Sequence, residues 1–150
     1  MIGTFARLLK AHASTTRELS SQLQAEHGLT LNDYECLLLL SHSEGDAMRR
    51  IDLAEQLILT PSGVTRLLDG LQEAGFIANR ACESDARVKY AALTQEGRRK
   101  LEEASQSHLA SVADLFGERY SDEELSTLAE LLGRLPGAGG DGSGCSPGHA

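Results

Sequence analysis

The chain has 150 residues, 41% of them hydrophobic and 24% charged, with a formal net charge of −8 at pH 7. That is the composition of a soluble globular protein, and with aromatics at 4% and no tryptophan its core must be aliphatic. No stretch approaches the roughly 18 apolar residues of a membrane span, and the acidic balance argues against a long basic platform for nucleic acid.

Phe5, Leu8, Leu9, His12, Thr16, Leu19 and Leu23 recur at three- and four-residue steps, which predicts an amphipathic helix stopped near Gly28. Thr30 starts a second helix, with Asp33 three residues on as a box-like start signal. Tyr34, Leu37, Leu38 and the neighbouring leucines make this helix apolar on most sides, so it belongs at the centre of the core. "HSEGDA" breaks it. "MRRIDLAEQLIL" then reads as a short third helix with Ile51, Leu53, Ala54 and Leu57 on one face. Thr60 caps a fourth helix, Pro61 takes its first position, Val64, Leu67, Leu68 and Leu71 form its buried stripe, and Gly75 ends it. Two short helices with a tight connection are a helix-turn-helix.

After Gly75 the period changes: "FIANR", "ACESDAR" and "VKYAAL" read as strand, loop and strand. Thr94 caps a long helix whose Leu101, Ser105, His108, Val112 and Leu115 follow a heptad-like seam. Ser121 and Glu124 form a capping box before a last helix carrying Leu125, Leu128, Leu132 and Leu135. The glycine-rich stretch from Pro136 onward is too poor in apolar residues to offset its ordering entropy.

The expected fold is mainly α with a small β-hairpin wing: a winged helix-turn-helix with added end helices. The apolar stripes of those end helices exceed what a core this small covers, and each wet leucine forgoes about 1.5–3 kcal/mol. Packing on a second copy is therefore expected. The expected organisation is an N-terminal dimerisation helix at 1–28, the winged helix-turn-helix at 29–100, C-terminal dimerisation helices at 101–135, and a disordered tail at 136–150.

The charge is unevenly spread. Between Gly45 and Lys100 there are nine basic and eight acidic residues, whereas the rest holds five basic and fourteen acidic. Salt screens beyond about 8–10 Å, so a neutral middle can face DNA inside an acidic chain. Ser62, Thr65 and Arg66 lie in the first two turns of the fourth helix, away from Val64, Leu67 and Leu68. Arg66 suits guanine O6 and N7, and the Thr60 and Ser62 hydroxyls at a helix N-terminus suit a phosphate. Gly63 costs about 1 kcal/mol in helix propensity, which a close approach of the sugar-phosphate backbone explains. Taken alone, the stretch reads better as a capped surface helix with solvated polar residues; the hairpin after it favours DNA.

"DLAEQLILTPSGVTRLLDGLQEAGFIANR" followed by "ESDARVKYAALTQEG" resembles the multiple-antibiotic-resistance regulator (MarR) family of bacterial transcription factors. The resemblance covers roughly residues 5–135. It implies a homodimeric winged-helix regulator of double-stranded DNA, more often a repressor, reading a palindromic operator and released by a small aromatic or phenolic molecule. It also implies that Asp85 braces Arg87 for entry into the minor groove, with Lys89 adding phosphate attraction. Two positions depart from the family pattern: Ala86 replaces a basic residue at the wing tip, and Ile58 stands where the turn commonly has glycine.

The three scattered cysteines and an N-terminus with Arg7 and Lys10 but no continuous apolar run fit a cytoplasmic protein. His12, Cys36 and His42 are the candidate lining of an effector pocket near the dimer helices, and His108 lies on a similar stripe. Histidines and cysteines lack metal-ligand spacing, and no phosphate loop or nucleophile motif is present, so no enzyme, metal or cofactor is expected. Two alternatives stand beside the effector-controlled regulator: oxidant sensing through Cys82 or Cys36, and a winged-helix protein–protein adaptor.

Overall fold

A computed structural model describes residues 1–57, 59–81 and 88–136. Two compact units divide the chain, one from Met1 to Ser111 and one from Val112 onward.

In the first unit, α1 (Ile2–His27) stops at Gly28, and α2 (Leu31–Ser41) begins at Thr30 with a complete capping box: Asp33 N–H donates to the Thr30 hydroxyl and Thr30 N–H to the Asp33 carboxylate. Tyr34, Cys36, Leu37 and Leu40 of α2 are buried, so this helix is the centre of the unit, as its apolar sequence predicts. A 3₁₀ turn (Glu44–Asp46) leads into β1 (Ala47–Arg49), which is followed by α3 (Arg50–Gln56) and α4 (Pro61–Glu73). Gly75, at φ 78°, turns the chain into β2 (Ile77–Ala81), an angle that a side chain resists. β3 (Lys89–Leu93) then runs into α5 (Gln95–Gly117).

The three strands form an antiparallel sheet in the order β1-β3-β2. β2 and β3 are the expected hairpin. β1 is not expected from the sequence, where its residues read as the start of the third helix. Met48 instead pairs with Ala91 and Arg49 with Tyr90. Three residues are too few to show alternation, and Arg49, with ψ 137°, is still extended where it caps α3. Ile51 is likewise not part of the core: it is 65% exposed. Leu53 and Leu57 lie four residues apart on the buried face, and two residues from Leu53 is about 200° round the helix.

The heptad-like seam is also corrected in part. Leu101 and Ala104 are buried in the unit's own core. Ser105 and Tyr34 share a 3.1 Å hydrogen bond, and the His108 ring lies 4.5 Å from the Tyr34 ring. The first half of that seam therefore packs partly within the chain, with Leu101 buried and Ser105 and His108 half-buried.

In the second unit, α6 (Asp122–Gly133) starts with the predicted Ser121–Glu124 capping box and buries none of its residues. Leu131, Leu132 and Leu135 are exposed.

Candidate nucleic-acid interface

α3 and α4 make the helix-turn-helix. Leu53 and Leu57 from the first helix and Val64, Leu68 and Leu71 from the second sink into one core, which fixes the outward side of α4. Thr60 caps α4 by accepting from Gly63 N–H at 3.2 Å, and the Ser62 hydroxyl stands 3.3 Å from the Thr60 hydroxyl. Ser62, Thr65 and Arg66 are exposed on the outer side. Arg50 and Asp69 join the two helices at 3.8 Å.

Gly63 has a local reason beside the one inferred from sequence. A Cβ there would meet the Thr60 hydroxyl at 3.2 Å and the Leu59 Cβ at 3.6 Å. Glycine leaves the cap its room, so the position does not by itself require a neighbouring sugar-phosphate chain.

Ion pairing sorts the cations of this unit. Arg49 pairs with Asp52 through two 2.6 Å hydrogen bonds, Arg50 with Asp69, Arg98 with Asp46, and Arg99 with Glu96. Each of these charges is largely compensated on the spot. Arg66 is exposed, and among the described residues no carboxylate pairs with it. Its guanidinium is left available for a base edge or a phosphate.

The wing is tied to α4. Asn79 of β2 donates its amide N–H to the Gln72 side-chain oxygen at 2.5 Å. Lys89 is exposed at the start of β3, opposite Ala81. Cys82, Asp85, Ala86 and Arg87, and also Ile58 in the turn, lie outside the described residues, as does the tail beyond Pro136. Arg80, on β2 beside the latch residue Asn79, reads in sequence as one more strand residue, yet it too is exposed and without an ion pair among the described residues.

The three candidates for an effector pocket differ in access. His12 is exposed on α1; desolvation raises the pKa of nearby Glu35, an effect that His12 opposes. His42 is exposed at the end of α2. Cys36 is fully buried, its thiol pushed up to about 12 first by burial and then by the charge of Asp33. A helix apolar on most sides hides its small residues, so Cys36 lines the core and not an open pocket. Burial and the raised thiol pKa both disfavour the thiolate that oxidant sensing needs.

From α1 and α2 to α5 runs a set of polar contacts that the sequence did not announce. His27 Nε2 is 2.6 Å from the Ser107 hydroxyl, and Tyr34 bonds Ser105 beside His108. The Nδ1 atoms of His27 and His108 are buried without a hydrogen-bond partner among the described residues. Burial lowers the His108 pKa. Among the described residues no group of three or more His, Cys, Asp or Glu is placed to hold a metal ion, and no helix is long and apolar enough to cross a membrane.

Residues 29–89 match the model of the MarR family. AbsC, a MarR family transcriptional regulator from Streptomyces coelicolor, is 34% identical with a TM-score of 0.78 over 86% of this chain and 86% of its own. Sco3205, a MarR family regulator from the same organism solved in complex with DNA, is 26% identical with a TM-score of 0.80, covering 85% of this chain and 80% of that one. The transcriptional repressor YetL of Bacillus subtilis is 32% identical over 111 residues, which are 74% of this chain and 66% of the repressor's length.

Proposed function

The chain belongs to the MarR family of transcriptional regulators, DNA-binding proteins and not enzymes, and from that premise we propose that it is a homodimeric, cytoplasmic repressor of a palindromic operator. Residues 1–28 and 101–135 carry the dimer contacts, and residues 29–100 read DNA. Arg66 addresses a base edge, while Thr60, Ser62 and Thr65 at the start of α4 take phosphates and neighbouring base edges, with Gly63 leaving room. In the wing, Arg87 enters the minor groove braced by Asp85, and Lys89 draws the flanking phosphate. A small aromatic or phenolic effector acts on this binding by favouring one spacing of the two reading heads over another. Such a molecule can reach His12 and His42 but not the sealed Cys36.

The observation that carries this reading is the state of Arg66: exposed, unpaired among the described residues, and held on the outer face of a capped helix whose inner face is locked in the core. The repressor role draws support from YetL, which bears that name, and the DNA partner from the solved complex of Sco3205.

The test is a selection of bound duplex fragments at defined salt, repeated with a panel of small aromatic acids. Arg66→Ala should cost about 1–3 kcal/mol of discrimination at one position of each half-site. Arg87→Ala should weaken binding and flatten its salt slope. Failure to enrich any duplex would return the chain to the adaptor reading.

A further inference from the structure

The cations of the DNA-reading unit fall into two groups. Arg49, Arg50, Arg98 and Arg99 each lie against a carboxylate. Two arginines between Gly45 and Lys100 have no carboxylate partner among the described residues: Arg66, on the recognition helix, and Arg80, on β2. An arginine left exposed while four others are paired is available to something outside the chain.

Arg80 is also held in position. The preceding residue, Asn79, hydrogen-bonds Gln72 at 2.5 Å. Gln72 is six residues along α4 from Arg66, about 9 Å of helix rise. The strand bearing one guanidinium without an ion pair among the described residues is thus latched to the helix bearing the other. Register adds the direction. Arg80 pairs with Tyr90 and Ala81 with Lys89, and successive side chains on a strand alternate faces. Arg80 and Lys89 therefore stand on opposite faces of the ribbon. A ribbon laid along the minor groove, about 6 Å wide, meets a phosphate chain on each side, so cations on its two faces address different strands of the duplex.

Resting on the DNA-reading function above, we infer that Arg80 is a further contact to the DNA sugar-phosphate backbone, positioned by the Asn79–Gln72 hydrogen bond. The contact is to phosphate, so it adds affinity without sequence preference.

The experiment compares the full-length wild-type protein, Arg80→Gln, Asn79→Ala and the double variant. Binding is followed by fluorescence anisotropy over a salt series, on a selected operator fragment and on a scrambled duplex of equal length. Arg80→Gln should weaken both duplexes by the same factor and reduce the salt slope by about 0.9 for each chain bound. Its circular dichroism should match the wild type, because Arg80 is exposed and has no partner among the described residues to lose. Asn79→Ala should weaken binding in the wild-type background and have little further effect when Arg80 is already glutamine. An unchanged slope in Arg80→Gln, or a loss confined to the operator, overturns the phosphate contact. An equal loss from Asn79→Ala in both backgrounds overturns the positioning role. A wild-type chain that binds no duplex at low salt overturns the DNA-reading function and this contact together.

Discussion

Gly97 and Phe76 approach so closely that a Cβ on Gly97 would overlap the Phe76 carbonyl oxygen, and it would also meet the Leu93 Cδ1 at 2.9 Å. The same carbonyl accepts Thr94 N–H at 3.0 Å, while the Thr94 hydroxyl lies 2.7 Å from the Gly75 carbonyl and accepts Gly97 N–H at 3.0 Å. The exit of α4 is thereby clasped to the start of α5. Gly97→Ala should destabilise the protein by about 1–3 kcal/mol, the usual cost of forcing atoms into a packed site, even though alanine gains up to about 1 kcal/mol in helix propensity. Gly70, inside α4 with open space around it, gives the contrast: Gly70→Ala should stabilise by roughly 0.5–1 kcal/mol. Urea unfolding of both variants decides the matter, and shifts of the same sign would sink the clasp.

That clasp illustrates what the sequence discloses and what it hides. Thr30, Thr60, Thr94 and Ser121 are legible as caps because the chemistry is local, each hydroxyl reaching an N–H three residues on. Gly97 is not, since its reason is a carbonyl 21 residues away. The same holds for β1, which exists only by pairing with a strand more than 40 residues downstream. Helical period identifies an apolar stripe but not what covers it: the seam at Ser105 and His108 is legible, but Tyr34 of the same chain lying against it is not. Within the candidate site, the polar face of α4 was legible from its spacing. Arg80 was not, because only the pairing of the other arginines sets it apart.

His108 makes stability depend on pH. Its pKa is lowered by burial, so the folded chain takes up a proton less readily than the unfolded one. Below the ordinary histidine value the unfolded state binds more protons, and stability falls as the pH drops from there through the folded pKa. Glu35 acts in the opposite sense: its pKa is raised, chiefly by desolvation, so its charging costs stability as the pH rises above the ordinary carboxylate value. Replacing His108 by glutamine isolates the first effect. Its unfolding midpoint should vary less between pH 7.5 and pH 5.5 than that of the wild type, in steps about one pK unit either side of the ordinary histidine value. An unchanged pH slope would mean that His108 is not kept neutral by the fold.

Cys36 should be silent to thiol reagents in the folded protein. With no exposed surface and a thiol pushed up to about 12, it presents almost no thiolate at pH 8. Pulsed alkylation with mass-spectrometric peptide mapping should label Cys36 only in denaturant, in step with global unfolding. Labelling in native buffer at the rate of a free thiol would show that α2 opens locally. It would also restore Cys36 as an oxidant sensor. Any peroxide sensitivity of DNA binding in a chain with Cys36 unlabelled must come from elsewhere.

The proposed dimer rests on residues that one chain leaves wet. On α1, Ile2, Phe5 and Leu9 are 86%, 61% and 52% exposed and follow steps of three and four, so they share one face. Burying each in both copies is worth on the order of 10 kcal/mol in all, which the entropy of association and side-chain ordering reduces. The wild type should therefore sediment as a dimer at micromolar concentration. Phe5→Glu with Leu9→Glu should give a monomer that keeps its helix content, because neither side chain belongs to the core of its own chain. Operator affinity should fall with dimerisation, since two linked reading heads gain from effective concentration that one head lacks. A double variant that remains dimeric would move the interface away from this face of α1. A wild type that sediments as a monomer, yet reads its operator tightly, would remove the paired-head mechanism.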